Sequence, residues 1–215
     1  MSSFLCETIA TFASELERRL AIAITEKDKF SVYKEFAERG DPLSQYNLSI
    51  IYREGRGIKA NIKQSVKWEQ CAAELGLPDA QLNLAMDYRD GNTALKKDSL
   101  LAKLWMERAA ENDDEALFYL GAWEFEDGSE VKAVPWLLKA ASRTHAQQGA
   151  SCGLLAQIFS FGSKVHPERR KKGIQWATKG AKMNNPVSLY YLAMFLKESE
   201  PERSLRLFKL SGKQW

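Results

Sequence analysis

Apolar positions along the chain recur with the 3.6-residue period of a helix, and the alternation expected of a strand is absent. The pattern also repeats at longer range. The segments QYNLSIIYREG, QLNLAMDYRDG, FYLGAWEFEDG, GLLAQIFSFG and YYLAMFLKES align on Leu48, Leu84, Leu120, Leu155 and Leu192, at steps of 36, 36, 35 and 37 residues. A small residue lies four before each Leu (Ser44, Ala80, Ala116, Ser151, Ser188) and another one after it (Ser49, Ala85, Gly121, Ala156, Ala193). An aromatic or apolar residue follows at +4: Tyr52, Tyr88, Phe159, Leu196. Glu124 interrupts that slot, and with Phe125 and a late Gly128 it suggests one inserted residue.

A second series lies between the first. Trp68, Trp105 and Trp136 are each followed at +4 and +5 by Ala-Ala, Trp176 by Gly180-Ala181, and Phe208 by Gly212 alone. Residues at i, i+4 and i+5 share one side of a helix. Small residues let two axes approach, and a large neighbour fills the space they leave. Each unit therefore reads as an antiparallel pair, helix A with the Leu and helix B with the Trp, which buries its apolar face only by stacking on other pairs. Gly55, Gly91, Gly128 and Gly162 fall where A helices should end, and Gly40 and Gly76 where B helices should end, with Pro42 and Pro78 two residues later. Asp98 and Pro167 suit helix starts. Val32-x3-Phe36-Ala37 extends the series upstream, with residues from about 3 to 24 as its A partner. The spacing from Leu to Trp predicts tight hairpins in the third and fifth pairs and longer loops in the others. Four of the six tryptophans occupy the one repeated slot, so they are expected in the interior.

The small-x3-Leu-small pattern, the Tyr-x2-Gly helix end, the 36-residue step and Trp-x3-Ala-Ala together resemble Sel-one-like repeats (SLR), relatives of tetratricopeptide repeats with a longer internal loop. The clearest copies are YNLSIIYREGRGIKANIKQSVKWEQCAAELG and LNLAMDYRDGNTALKKDSLLAKLWMERAAEN. The resemblance covers about 41 to 185 well and 186 to 212 weakly. It implies an all-α fold, a right-handed α–α superhelix or α-solenoid of antiparallel helix pairs. We expect one domain over 1–215, with a capping pair at 1–40 and repeat pairs at 41–76, 77–112, 113–145, 146–184 and 185–215. It also implies a protein-binding scaffold without chemistry of its own: an adaptor or regulator, or an immunity protein that occludes a cognate bacterial toxin. Trp215 and the degraded fifth repeat read as a terminal cap or a dimer contact.

Composition narrows the alternatives. Lys and Arg number 31 against 28 Asp and Glu, a net charge of +3, too balanced for bulk attraction to nucleic acid or an anionic membrane. Cys6, Cys71 and Cys152 are odd in number and widely spaced, which argues for a reducing compartment, and the expected location is the cytoplasm. No apolar run approaches 18 residues, so no membrane span is expected. Gly55-Arg56-Gly57 is a lone GxG at a helix end. His145 and His166 stand outside any metal-ligand spacing, so no metal or other cofactor is expected. Asp113-Asp114-Glu115 reads as a helix N-terminus rather than a carboxylate site. The basic run Arg169-Arg170-Lys171-Lys172 keeps a second reading open, in which this patch or an unrecognised pocket serves nucleic-acid binding or catalysis; it lacks aromatic interleaving and reads first as a solvated face.

A partner should lie along the A helices, which line the concave side of a curved stack. Relative to the repeated Leu, positions −1, +3 and +6 are expected to face it. They are Asn47, Ile51 and Glu54, then Asn83, Asp87 and Asp90, then Tyr119, Trp123 and Glu126, then Leu154, Ile158 and Phe161, and finally Tyr191, Phe195 and Glu198. From these, Asn47, Glu54, Asn83, Asp87, Asp90, Tyr119, Trp123, Glu126, Phe161 and Tyr191 are the candidate binding residues. Acids dominate the first half and aromatics the second, a combination suited to a protein with a basic surface such as a toxin or effector domain.

Overall fold

A computed structural model describes residues 2–161 and 167–212; Gly162, His166 and Trp215, named above, lie outside the described residues. Among the described residues there are twelve helices and no strand. They run in pairs: α1 (Ser2–Ile22) with α2 (Glu26–Glu38), α3 (Pro42–Glu54) with α4 (Ile62–Glu74), α5 (Pro78–Asp90) with α6 (Ser99–Ala109), α7 (Asp114–Glu126) with α8 (Glu130–Ser142), α9 (Gln148–Ser160) with α10 (Pro167–Ala181), and α11 (Pro186–Leu196) with α12 (Pro201–Leu210). The result is an α-solenoid of helix pairs, and the helices group into two compact units, Met1–Glu111 and Asn112–Trp215.

Within each unit the core is the repeated pattern itself. Leu48, Leu84, Leu120 and Leu155 are completely or almost completely buried, as are the small residues around them: Ser44, Ser49, Ala80, Ala85, Ala116, Ser151 and Ala156. Gly121 shows how close the axes come. A Cβ there would lie 2.6 Å from Leu137 Cγ and 3.1 Å from the Leu137 backbone nitrogen. In the second unit, Ala133, Leu137, Ala141, Cys152, Leu155 and Ile158 form one continuous cluster.

The tryptophan slot lies nearer the surface than its regularity suggests. Trp105 is buried, but Trp68, Trp136 and Trp176 are half-buried. Each carries a cation over its ring: Lys67 at 5.9 Å from the centroid, Arg108 at 4.7 Å, Lys139 at 5.1 Å and Lys179 at 5.4 Å. The buried position on helix B is the residue that follows, Glu69, Met106, Leu137 or Ala177. The indole is the amphipathic edge of the core, with its outer face turned to a charge.

Helix ends follow from the local sequence. Gly40 and Gly76 adopt φ of 90° and 87°, and the Asp41 and Leu77 N–H groups reach back to the Phe36 and Ala72 carbonyls. Asn184 does the same with φ of 56°, the one non-glycine among the described residues with positive φ. The side chains of Asp41, Asn61, Asp98, Asp113 and Asn185 accept backbone N–H groups at the starts of α3, α4, α6, α7 and α11, and Thr25 closes a capping box on α2. The irregularity around Glu124 lies outside the helix. α7 keeps register, Glu124 is buried at the +4 slot, and the extra residue is Asp127, inserted between the helix and Gly128. The loops are short at 127–129 and 197–200 and longer at 55–61 and 91–98, as the Leu-to-Trp spacing predicts.

Successive pairs are stapled by side chains that reach the last carbonyls of the preceding B helix. The buried Gln45 donates from Nε2 to the Ala37 carbonyl at 3.2 Å and Gln81 to the Ala73 carbonyl at 3.0 Å. Gln148 and Lys179 both reach the Ala141 carbonyl, at 3.2 and 2.6 Å. The Ala37 and Ala73 carbonyls already accept the Gly40 and Gly76 N–H groups, so each glutamine adds a second donor to a carbonyl of the last turn.

Gly121→Ala should destabilise the chain by about 1–3 kcal/mol, because Leu137 must leave its rotamer or α8 must move. Leu84→Ala should cost about 2–5 kcal/mol through the cavity it leaves. Urea unfolding followed by tryptophan fluorescence reads both as lower midpoints; an unchanged midpoint for Gly121→Ala would refute the close α7–α8 approach.

Candidate partner-binding face

The A helices carry nine of the ten candidate residues, with Phe161 just past the end of α9, and the helix period sorts them. At about 100° per residue, position +3 lies only about 20° from the buried small residue at −4. It therefore turns inward: Ile51, Ile158 and Phe195 are buried rather than facing a partner. Positions −1 and +6 remain accessible. Asn47, Asn83, Tyr119 and Tyr191 are half-buried, while Glu54, Asp90, Glu126 and Phe161 are exposed at the C-terminal ends of their helices. The accessible stripe is thus narrower than the sequence pattern implies.

In the first unit the +3 position of α5 is Asp87, and its neighbours explain its place. Arg53, on α3, holds both Asp87 of α5 and Glu69 of α4. Its Nη1 is 3.2 Å from Asp87 Oδ1, and its Nη2 is 2.9 Å from Asp87 Oδ2 and 2.7 Å from Glu69 Oε2. Three helices from two consecutive repeats meet at one guanidinium, in the forked geometry that suits Arg. Glu69 is 1% exposed, Asp87 14% and Arg53 37%. Asp87 is therefore part of an inter-repeat ion pair, not a free carboxylate on the binding rim. Close by, the Asn83 amide donates to the Tyr46 hydroxyl at 2.9 Å, which joins α5 to α3 again. Burial of the Tyr46 ring pushes its hydroxyl pKa above the usual value, with Asp79 and Glu69 adding to the effect.

The same unit holds a groove of about 450 Å³ between the capping pair and α3. Leu20, Tyr33, Ile50 and Ile51 supply its apolar surface, and the candidate residues Asn47 and Glu54 line it. Its charged side chains are mutually paired: Lys29 Nζ lies 2.7 Å from Glu26 Oε1, and Arg56 pairs with Glu54. Asn47 is oriented by its own helix, donating from Nδ2 to the Leu43 carbonyl at 2.8 Å.

In the second unit the aromatic candidates fall into two groups. Tyr191 packs against the cluster of Ala156, Ala177, Leu192 and Phe195 and meets Tyr190 edge-on at 5.1 Å. Tyr119 meets Phe118 at 5.3 Å, and burial raises the hydroxyl pKa of both Tyr119 and Tyr191. Trp123 is half-buried on α7, whereas Phe161 is 55% exposed beyond the end of α9.

The basic run is only partly a solvated face. Arg169 donates from Nη2 to the Ile158 carbonyl at 2.8 Å and from Nε to the Phe161 carbonyl at 2.9 Å, and it meets Glu130 at 3.3 Å. Arg170 donates from Nη2 to the Phe195 carbonyl at 2.6 Å. Both arginines cap the C-terminal ends of A helices, where positive charge is favoured. Lys171 and Lys172 are the exposed cations of the four. Asp113, whose Oδ1 accepts the Glu115 N–H at 2.7 Å, acts as a helix cap. No group of His, Cys, Asp and Glu among the described residues is arranged to hold a metal ion.

Sequence reasoning missed Arg53, Glu69, Gln45 and Gln81. Glu69 was legible in principle, because it stands where the other repeats carry Met106, Leu137 and Ala177. The glutamines share one register, three residues before the repeated Leu.

The Sel1 repeat family model matches residues 42–77, 78–114, 115–145 and 150–185. Chitin synthase regulatory factor 3 of Schizosaccharomyces pombe is 26% identical over 163 residues, covering 72% of this chain and 17% of that protein. A protective antigen of uropathogenic Escherichia coli with an SLR fold superposes with a TM-score of 0.75 at 25% identity, covering 87% of this chain and 41% of the antigen. A Sel1 repeat protein of Oxalobacter formigenes superposes with a TM-score of 0.69 at 25% identity, covering 87% of this chain and 79% of that one. The chain thus spans less than a fifth of the fission-yeast regulator and less than half of the antigen.

Arg53→Met should cost on the order of 3 kcal/mol, since it strands the Asp87 carboxylate and takes the donor from Glu69 Oε2; this is near the low end for a broken buried pair because Arg53 keeps contact with water. Asp90→Asn should change stability by less than about 0.5 kcal/mol. Equal effects of the two substitutions in thermal unfolding would contradict the ion-pair geometry.

Proposed function

The chain belongs to the Sel1 repeat family, whose repeats mediate protein–protein interaction, and on that premise we propose that it is a non-enzymatic regulator or adaptor that holds a segment of a partner protein along its A helices. The groove between the capping pair and α3 carries this reading. It offers an apolar surface from Leu20, Tyr33 and Ile50, and its rim charges already have partners. A partner side chain entering it removes apolar surface from water without stranding a lone charge. The occupant we propose is a peptide segment with an apolar anchor flanked by a basic residue. The exposed carboxylate of Asp90, at the C-terminal end of α5, supplies the complementary charge. The regulator named among the relatives supports the same class of role.

An inhibitory role, in which the chain acts as an immunity protein against a basic toxin or effector domain, draws on the exposed Asp90 carboxylate of the first unit. No helix among the described residues is long and apolar enough to cross a membrane. We place the protein in the cytoplasm, a reading supported by the free thiols of Cys71 and Cys152.

The test places a photo-crosslinking residue at Asn47, in the groove, or at Lys67, on the exposed face of α4, and exposes the chain to native extract. Adducts should form from position 47 and not from 67. Excess wild-type chain should suppress them, and an Ile50→Arg chain should compete at least tenfold more weakly, a loss of about 1.4 kcal/mol or more. Equal labelling from both positions, or equal competition by Ile50→Arg, would overturn the groove. A steep loss of capture with added salt would favour the inhibitory role against a basic partner.

A further inference from the structure

The ion pair on Arg53 has an unbalanced charge. One guanidinium faces two carboxylates, and one of them, Glu69, is fully buried where the other repeats carry Met, Leu or Ala. Glu69 Oε2 accepts from Arg53, but the buried Oε1 accepts no hydrogen bond. Charged groups reach this glutamate from both helices packed on α4: Arg53, with the Tyr46 hydroxyl, from α3, and Asp87, beside the Asn83 amide, from α5. On α4 itself the adjacent Gln70 turns away to the Tyr88 hydroxyl at 3.2 Å.

With both acids ionised the cluster carries a net negative charge that Arg53 alone does not balance, and the buried Oε1 lacks a hydrogen-bond partner of its own, the Asn83 amide only partly favouring the ionised form. A proton on Oε1 removes both defects. It leaves Arg53 and Asp87 as a matched forked pair and makes Glu69 a donor toward the Asp87 carboxylate, the one acceptor of the cluster with charge to spare. We infer that Glu69 is a proton-gated latch between the first and second repeats: protonated, it locks α4 against α3 and α5, and ionised, it loosens that junction.

Burial, opposed by Arg53 and reinforced by Asp87, pushes the Glu69 carboxyl up to about 7. The sign follows from linkage. In the unfolded chain Glu69 loses its proton near 4.5, whereas the folded chain keeps it to about 7. Between those values the folded state binds the extra proton. The contribution of Glu69 is therefore present at the acid end, falls as pH rises through this window, and is flat above it. The latch is set close to neutrality, so modest pH changes work it.

The experiment uses the full chain and does not depend on the proposed groove. Carboxyl-carbon NMR, assigned by comparison with Glu69→Gln, should show the Glu69 carboxyl titrating between pH 6 and 8. Hydrogen exchange, corrected for the intrinsic pH dependence, should show amides of α4 and α5 opening at least fivefold more readily at pH 8 than at pH 6. In Glu69→Gln that ratio should fall to about one, because the amide keeps the shape and cannot ionise. If Glu69→Gln does not fold, Glu69→Met takes its place, using the residue of the second repeat's own slot. A Glu69 signal that titrates below pH 5, or a pH-dependent opening that persists in the variant, would overturn the latch.

Discussion

Small side chains at fixed intervals let neighbouring helices of each unit sit close together, and the packing of both units is arranged around that approach. Ala80, Ala85, Ala116, Ala140 and Ala156 are completely buried, and at Gly121 even a methyl group would collide with Leu137. Close approach leaves no slack in the interior. Bulk therefore enters at a few fixed positions, the repeated leucine and the +3 position of the A helices and the residue after the indole on the B helices, and three of the four repeated indoles stay half-buried at the edge. The cations over the four indoles follow, since a ring with one dry face and one wet face gains from a charge above the wet one.

The architecture was legible because it is written several times over. A motif that recurs every 36 residues or so averages out local noise, and a helix pair that cannot stand alone must repeat to fold. The binding face was less legible, for a geometric reason. Positions −4 and +3 lie nearly on the same side of a helix, so the inner edge of the expected stripe belongs to the core, and Ile51, Ile158 and Phe195 are lost to it. Asp87 occupies that edge as well, and its acidity is consumed by Arg53. Glu124 misled in the opposite sense: a polar residue in an apolar slot resembled an insertion, yet it stays in register, and the extra residue lies in the cap. Exceptions within a repeat say more than the consensus, because the consensus describes only what every copy needs.

The basic run illustrates the same point. Four consecutive cations resemble an electrostatic patch, but two of them serve as caps on A-helix carbonyls. The run serves the fold first, and of its four cations Lys171 and Lys172 are the ones left exposed.

The glutamine staples carry an evolutionary corollary. Gln45 and Gln81 each stand at the head of a helix pair and grip the last turn of the pair before it. The fastener and its socket thus travel together, one at each end of the same stretch of about 36 residues. A gene segment of that length can be duplicated or deleted as a cassette, and the new seam closes with the hydrogen bond the old ones used. Repeats that keep the glutamine can thus be added or removed without a new fastener, whereas the later ones, with Leu117, Cys152 and Leu189 in its register, have surrendered that freedom.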